Sequence, residues 1–382
     1  MSTPDSATAR EKLLVGLTPE MRLNLRIRAA ERGVDIQDAA AHALALWYDT
    51  PNVPAVDTGG AKSWGVFLPA GGPARFEEEA KRRTLTKVQA MGQAVTNWLN
   101  LHPSPTQRLV SQPVKRILVA LQKGGVGKSF LAAGVAQAFA EMGLRVLLID
   151  YDPQGHMTRR MGYQSLSADN DNSLLQHMLG KARKHIRRIL IKVEGERFGG
   201  RLDLLPACTD AFLFDAVMSS VRHGREETLQ RALEPIENDY DVVVIDGPPS
   251  LGLSMDIAMH YVHRREGELA ERSGIVMPVW ADTPSFEAYD LFNGQRHDLM
   301  RGTRVQIDEL GFVINHFDTR RGASPQRKKE EWEERAAPGV LAVFGDLKEQ
   351  REATDEHTPL FEYQPNCELT DGLRGLAKEL AA

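Results

Sequence analysis

The apolar residues of this 382-residue chain change their spacing near residue 113. Beyond that point they form short continuous runs, among them 117–121, 146–149 and 242–245. Runs of this length are typical of strands that are buried on both faces of a parallel sheet. Alanine-rich or amphipathic stretches separate them, as crossover helices do. The pattern therefore predicts, for residues 113–382, an α/β fold with a mostly parallel sheet and helices on both faces.

The amino-terminal residues follow a different pattern, which occurs twice. In both 12–48 and 63–99, alternating apolar residues precede two stretches with helical spacing. At an offset of 51 residues, Trp98 aligns with Trp47. A strand-helix-helix unit of about 40 residues is too small to bury its apolar face alone. We therefore expect a small α+β module in which the two copies form a pseudo-dimer and pair their strands as an antiparallel ribbon.

This order of elements resembles the ribbon-helix-helix family, and the resemblance implies a ribbon that enters the major groove of DNA. The expected outward positions of the ribbon are Lys12, Leu14, Gly16, Ser63, Gly65 and Phe67. They include none of the Arg, Asn or Gln side chains that read base edges. Backbone amides near Asp35 and Thr86, where the second helices start, remain candidates for phosphate contacts. A helical dimerisation module has the same apolar spacing, so DNA and protein both remain possible partners of this module.

The two patterns meet in a proline-rich stretch. Three prolines and several polar residues lie between Asn100 and Lys115, which predicts a linker and a domain boundary near residue 112. Residues 1–112 hold 13 Lys and Arg against 11 Asp and Glu, a net charge of +2, and the remainder carries −7. We expect any affinity for DNA to be local, because the total of −5 gives no global cationic field.

Other classes of protein are disfavoured by composition. Cys208 and Cys367 are the only cysteines, too few for a disulfide framework and without the paired spacing of a metal or iron-sulfur site. No apolar run approaches the length of a membrane span, and the first residues lack the apolar centre of a signal peptide. We expect a cytoplasmic protein with no membrane partner.

A glycine-rich loop, KGGVGKS at 123–129, follows the first apolar run of the larger part. Glycines allow backbone N–H groups to surround a triphosphate, a lysine places a cation at its outer phosphates, and a serine hydroxyl is a magnesium ligand. The loop predicts ATP and Mg²⁺ as cofactors, with Ser129 as a metal ligand and Lys128 as a catalytic cation. The predicted nucleotide contacts are Gly124, Gly125, Val126, Gly127, Lys128, Ser129 and Phe130.

The loop departs from the common phosphate-loop pattern at one place. Gln122 stands where the first glycine of that pattern belongs, and Lys123 follows it. In this the loop resembles that of the ParA and MinD family of ATPases. The resemblance implies that Lys123 is catalytic and reaches the phosphates of a partner subunit, so that hydrolysis depends on an ATP-bound homodimer.

Two carboxylate motifs follow in the order of that family. In LLIDYDPQG, the resemblance assigns Asp152 to the attacking water, while Asp150 is expected to support the magnesium shell. The apolar run at 242–245 ends at Asp246, beside the phosphate crevice of an open sheet, where it is expected to hold a magnesium-bound water. Asn315 matches a family position that contacts adenine, although a buried strand-end Asn bonded to backbone is the alternative.

Two regions bear on a nucleic-acid partner. Gly345 and Asp346 stand where the family usually has Pro and Arg, and Glu349 occupies a place often taken by a DNA-binding arginine. Non-specific DNA binding through that face is therefore not expected. The cluster KARKHIRRILIK at 181–192 is either a nucleic-acid contact or a solvated surface helix.

The resemblance favours a DNA-partitioning ATPase that dimerises with ATP, binds DNA in the nucleoid and is stimulated by a ParB-like or other adaptor protein. A close variant recruits a conjugation (relaxosome) complex, and a nucleotide-switched DNA-binding repressor is a further alternative. A MinD-like membrane ATPase would need a more basic tail than LTDGLRGLAKELAA at 369–382. An iron-sulfur reductase of the same superfamily would need paired cysteines.

Overall fold

The structure is a computed structural model, and it describes residues 10–32, 34–103, 112–167, 172–335 and 337–382. The chain forms two compact units, Met1–Ser104 and Pro105–Ala382. Most of the predicted linker, 104–111, lies outside the described residues, so the boundary near residue 112 stays a prediction. Each unit is described by itself below.

The smaller unit repeats one order of elements, strand-helix-helix, and its two strands pair antiparallel with Leu13 opposite Val66. Its elements are β1 (Arg10–Leu17), α1 (Pro19–Glu31), α2 (Ile36–Asp49), β2 (Lys62–Pro69), α3 (Gly72–Arg82) and α4 (Lys87–Leu101). Alternate strand residues are buried with the helices, as expected: Leu13, Val15, Leu17, Trp64, Val66 and Leu68. The predicted α+β pseudo-dimer is thus the observed fold of this unit.

The outer face of the ribbon differs from the expectation at one position. Gly16 is buried rather than outward, because a Cβ there would lie 3.0 Å from the Val88 side chain. Leu14 and Phe67 are 60% and 43% exposed. The exposed centre of the ribbon is therefore apolar, which is a poor surface for reading bases.

The larger unit is built on one eight-stranded sheet in the order β10-β9-β8-β3-β7-β4-β6-β5. All neighbouring strands run parallel except β5 and β6. The strands are β3 (Lys115–Val119), β4 (Val146–Asp150), β5 (Ile191–Lys192), β6 (Leu202–Leu205), β7 (Val242–Asp246), β8 (Gly274–Val279), β9 (Glu309–Ile314) and β10 (Val340–Val343). The predicted mostly parallel α/β fold is confirmed.

Helices cover both faces of this sheet. The α-helices are α5 (Lys128–Glu141), α6 (His156–Arg160), α7 (Leu174–Met178), α8 (Phe214–Met218), α9 (Thr228–Glu237), α10 (Leu253–Tyr261), α11 (Thr283–Thr303), α12 (Ala323–Glu333), α13 (Lys348–Asp355), α14 (Leu360–Tyr363) and α15 (Glu368–Ala381). Successive strand residues enter opposite cores: Val119 packs with α5 and α15, whereas Leu118 packs with α9 and α10. Both faces are buried, which explains the continuous apolar runs.

The last helix, α15, covers one face of the sheet. Leu373, Leu376 and Leu380 of α15 are buried, and Leu373 lies against Gly134 of α5. Among the described residues, no helix is both long enough and apolar enough to cross a bilayer.

The basic segment at 181–192 is not the surface helix that its sequence allowed. Only residues 186–189 form a helical turn, of the 3₁₀ type, and Ile191–Lys192 form the edge strand β5. Ile186 and Ile189 are both buried, so the spacing of the apolar residues suits a single turn followed by a strand.

Candidate functional site

The loop between β3 and α5 takes its shape from two glycines with left-handed backbone. Gly125 and Gly127 have φ values of 76° and 91°, a region that residues with a Cβ rarely adopt. A Cβ on Gly127 would also lie 2.7 Å from Nδ2 of Asn315. The loop leads directly into Lys128, the first residue of α5. Its backbone N–H groups and the positive end of the helix dipole suit this turn to phosphate.

The lysine at the start of α5 is held inside the loop. Lys128 is 8% exposed, and its Nζ donates to the carbonyl oxygen of Lys123 over 2.8 Å. Burial lowers the pKa of Lys128, while the nearby carboxylates of Asp246 and Asp152 oppose that shift. A cation held in this way lies ready for the negative charge of a phosphate group.

The second lysine of the loop lies in different surroundings. Nζ of Lys123 lies 2.7 Å from each carboxylate oxygen of Asp282 and 2.9 Å from the Ser285 hydroxyl. It also lies 4.9 Å from the centre of the Trp280 ring. Burial alone would raise the pKa of Asp282, but the hydrogen bonds from Lys123 and Ser285 lower it. Lys123 is therefore bound within its own subunit, at the start of α11.

Two aspartates end neighbouring strands at the same level. Asp150 of β4 and Asp246 of β7 are in register, and both are buried. Oδ2 of Asp150 accepts hydrogen bonds from the backbone N–H and the hydroxyl of Thr158, at 2.7 and 2.6 Å. Among the described residues, no donor meets hydrogen-bond geometry with either oxygen of Asp246.

Burial and mutual repulsion alter the acidity of this pair. Burial raises the pKa of Asp246 well above its ordinary value, and the negative charge of Asp150 raises it further. The nearby Ser129 hydroxyl and the charge of Lys128 oppose this increase. Burial likewise raises the pKa of Asp150 to about 6, although hydrogen bonds from Thr158 oppose it. The pair is unfavourable as two free anions, which makes it a suitable place for a cation.

The residues present fit Mg²⁺. A buried carboxylate with unsatisfied oxygens, beside a serine hydroxyl, provides the hard oxygen ligands that this ion prefers. Asp246 and Ser129 are the side chains that would hold it. Oδ2 of Asp150 is already used by Thr158, so Asp150 fixes the start of α6, and its predicted place in the magnesium shell stays a prediction.

Asp152 lies at the edge of the phosphate loop's cavity. It is 8% exposed, and its Oδ1 accepts a hydrogen bond of 2.9 Å from the backbone N–H of Gln154. That bond closes a tight turn after β4 and fixes the carboxylate at the cavity wall. The position suits a group that acts on water next to a bound phosphate.

Asn315 is completely buried beneath the loop. Its Nδ2 donates to the carbonyl oxygen of Val126 over 2.7 Å, and its Oδ1 has no partner among the described residues. Val126 is buried too, and Phe130 packs edge-on against Phe344. Asn315 thus braces the phosphate loop in this structure, and its predicted contact with adenine stays a prediction.

A cavity of about 640 Å³ opens beside the loop, a size typical of small-ligand sites. Its walls combine the loop with segments that are remote in sequence. The lining residues are Gly124, Gly125, Gly127, Lys128, Ser129, Phe130, Asp152, Gln154, His156, Arg160, Pro249, His316, Leu347, Gln350, Arg351, Thr354 and Asp355.

Sequence reasoning missed several of these residues. His156 and Arg160 come from α6, and Gln350 and Thr354 come from α13. No local motif marks them, because only the fold brings their segments together. Asp282 had a weak signal as the N-cap of α11, but nothing in the sequence linked it to Lys123.

Comparisons with known proteins agree with this geometry. Residues 114–263 match a family model described as an AAA domain. The chromosome-partitioning ATPase Soj of Thermus thermophilus is 30% identical over 208 residues, which are 54% of this chain and 71% of that protein. The cell division protein PomZ of Myxococcus xanthus is 33% identical over 196 residues, 51% of this chain and 56% of that protein. A solved structure of cobyrinic acid a,c-diamide synthase from Mycobacterium smegmatis, with a bound ATP analogue and magnesium, is 25% identical with a TM-score of 0.51 and covers 66% of this chain and 92% of that one.

The fold and the loop define a P-loop nucleotide-binding protein with two lysines in its phosphate loop. Together with the similarity to Soj, they show that the chain belongs to the ParA/MinD-type family of P-loop ATPases.

Proposed function

We propose that this protein is a DNA-partitioning ATPase that binds ATP and Mg²⁺, dimerises, and hydrolyses ATP only as a dimer. The observation that carries the proposal is the different placement of two lysines in one loop. Lys128 lies inside the loop, whereas Lys123 is bound to Asp282, away from its own phosphate cradle. A lysine in that place is better suited to contact the nucleotide phosphates of a second subunit than those of its own.

The chain's residues divide the chemistry among them. The loop glycines and Lys128 bind and orient the phosphates of ATP, and Asp152 orients the attacking water and accepts its proton. Mg²⁺, when bound by Ser129 and Asp246, supplies positive charge to the outer phosphates. Lys123 of a partner subunit stabilises the charge that develops on the transferred phosphoryl group, as an arginine finger does.

Dimerisation then requires Lys123 to leave Asp282 and Ser285. The ion pair is mostly buried, since only 16% of the lysine and 34% of the aspartate side chain are exposed. Moving the lysine away is therefore unfavourable unless another negative charge receives it. The incoming phosphate charge of the partner's nucleotide replaces the lost carboxylate, so ATP itself favours the released lysine.

Two single variants separate binding from dimerisation. In Lys128→Ala, we expect loss of ATP binding, because the buried cation of the loop is gone. In Lys123→Ala, we expect ATP binding to persist while the ATP-dependent dimer and hydrolysis are lost. Calorimetry with ATP and light scattering with and without ATP measure the two effects. Unchanged dimerisation in Lys123→Ala contradicts the proposal.

DNA and an adaptor protein complete the proposed cycle. The similarity to the chromosome-partitioning ATPase Soj supports it, and a ParB-like adaptor that stimulates hydrolysis would release the dimer from DNA. The repeated strand-helix-helix unit is a candidate for specific contacts with DNA or with the adaptor. The apolar Leu14 and Phe67 on its ribbon favour protein over base edges as its partner.

A gel-shift measurement tests the DNA step. The full-length protein is titrated onto random and candidate partition-site duplexes, with ATP and without nucleotide. We expect binding to appear or to strengthen with ATP. Equal affinity in both states contradicts a nucleotide-switched DNA-binding function.

A further inference from the structure

The segment Lys181–Lys192, here called the basic edge segment, is not used by the nucleotide site. It has six Lys and Arg among twelve residues, in a part of the chain whose net charge is −7. All six of these side chains are exposed: Lys181, Arg183, Lys184, Arg187, Arg188 and Lys192. Between them, Ile186 and Ile189 are 1% and 6% exposed. The two isoleucines anchor the 3₁₀ turn, so the cations project from a fixed backbone.

Within the described part of the chain, three of these six cations are not paired with a carboxylate. Arg187 pairs with Asp239, and Lys192 pairs with Asp203 over 2.7 Å. Lys181, Lys184 and Arg188 have no ion-pair partner among the described residues. Two other exposed cations of this unit, Arg231 and Arg301, are each paired with a neighbouring carboxylate. Uncompensated charge on an ordered backbone is a feature of anion-binding surfaces.

The uncompensated cations also line a concave surface. Lys184 and Arg188 border a groove of about 590 Å³ together with Leu166, Asn172 and Ile189. The groove lies beside the edge strand β5, four strands from β3 in the sheet order. At about 4.8 Å for each step, that is about 19 Å from the strand that carries the phosphate loop. A ligand here need not touch the nucleotide.

We propose that the basic edge segment binds the phosphate backbone of duplex DNA without reading its sequence. The inference rests on the proposed function, for which it identifies the surface of the larger unit that contacts DNA. Phosphates in a duplex are closely and regularly spaced, so a row of cations meets several of them at once. The acidic face that includes Asp346 and Glu349 offers no comparable charge.

The structure favours DNA over an anionic membrane as the ligand. Surface binding to a bilayer usually combines cations with apolar side chains that enter the headgroup region. Here Ile186 and Ile189 point into the core, so the segment offers only charge. Protection of an exposed strand edge is another use of lysine, but only Lys192 lies on β5 itself.

The test compares two full-length triple variants. The first replaces Lys181, Lys184 and Arg188 with Gln. The control replaces Arg225, Arg231 and Arg301 with Gln, which removes the same charge from exposed or half-exposed arginines that are each paired with a carboxylate. Affinity for a random duplex is measured against salt, with ATP and Mg²⁺, alongside ATP hydrolysis. A variant with Lys184→Arg and Arg188→Lys keeps the charge.

We expect the first variant to lose about tenfold or more in affinity at low salt, and the slope of log affinity against log salt to fall by about 0.9 for each lost phosphate contact. The control and the charge-conserving variant keep the wild-type affinity, and all variants keep ATP hydrolysis.

If DNA binding is unchanged in the first variant, the inference is wrong while the proposed function stands. If the wild type hydrolyses ATP but binds no DNA, the DNA part of the proposed function fails as well. Binding to phosphatidylserine vesicles but not to duplex also overturns the inference.

Discussion

At the scale of single residues, the site combines groups that are fixed by different parts of the fold. Lys128 is held by the loop itself, Lys123 by the start of α11, and Asp152 by a turn after β4. Lys123 is held in a place that it leaves in the proposed dimer, whereas Lys128 and Asp152 are already positioned at the phosphate cavity by hydrogen bonds within the chain. Such preorganisation lowers the cost of arranging charge around a reacting phosphate.

Asp152→Ala is predicted to separate binding from hydrolysis. The variant keeps the loop and the metal-binding carboxylate, so we expect ATP binding and the ATP-dependent dimer to persist. Turnover falls by about 10²- to 10⁴-fold, as is typical when a positioned acid-base group is lost. Phosphate release under saturating ATP measures it. Asp371→Ala, which removes an exposed carboxylate paired with Arg374, is the matched control, and equal turnover in both variants would remove Asp152 from its role.

Asp150→Asn is predicted to change how stability depends on pH. The pKa of Asp150 is raised from 3.8 to about 6 in the folded chain, so the folded state binds more protons than the unfolded state between these values. The free energy of unfolding of the wild type therefore falls, relative to that of the variant, as pH rises from about 4 to about 6. Denaturant unfolding of both proteins without Mg²⁺, at several pH values, checks it; a difference that is constant with pH contradicts the assignment.

At the scale of elements, the amino-terminal unit is held together by contacts between its two copies. Nε1 of Trp47 donates to Gln93 over 3.2 Å. Arg83 of the second copy lies over the Trp47 ring, 4.1 Å from its centre, and donates to the carbonyl oxygens of Trp47, Tyr48 and Thr50 at the end of α2. Orphan carbonyls at a helix end need such donors.

Arg83→Ala is predicted to destabilise this unit by about 2–3 kcal/mol, because a charged donor to several carbonyls and its ring contact are lost together. Arg82→Ala is a suitable control. Arg82 shares the carboxylate of Glu79 but is 70% exposed, so little change in the free energy of unfolding is expected. Chemical unfolding followed by tryptophan fluorescence compares the two. Equal losses would show that Arg83 has no special place in the packing.

Element order was largely predictable from sequence, whereas contacts between distant elements were not. The apolar runs identified β3, β4 and β7, and the offset of 51 residues identified the repeat. The segment 181–192 was interpreted from sequence as a nucleic-acid contact or a solvated surface helix. The structure has only a 3₁₀ turn at Ile186–Ile189, because the spacing of these two isoleucines suits a single turn as well as a longer helix. The pairing of Lys123 with Asp282 spans 159 residues, a separation at which local patterns contain no information about contact.

At the scale of the whole molecule, the net charge is small, but positive and negative charges are unevenly distributed along the chain. The net charge of −5 combines +2 in residues 1–112 with −7 in the remainder, and the basic edge segment is a local exception within the acidic part. Weak individual surfaces of this kind bind a polyanion effectively when a dimer presents two of them. In the proposed cycle, a nucleotide-controlled dimer would therefore control DNA affinity without any change in the surface itself.

The central claim is that Lys123 acts on the nucleotide of a partner subunit, and mixing two inactive variants tests it directly. Lys123→Ala lacks the lysine but keeps its own Asp152, and Asp152→Ala keeps the lysine. In a mixed dimer, one site has both groups. The mixed dimer keeps one of the two lysines that join the subunits, whereas the Lys123→Ala homodimer keeps neither. We therefore expect the mixture to be more active than either variant alone, with roughly a quarter of wild-type activity as the value for fully random pairing. Activity no greater than that of the two variants measured separately would contradict the claim.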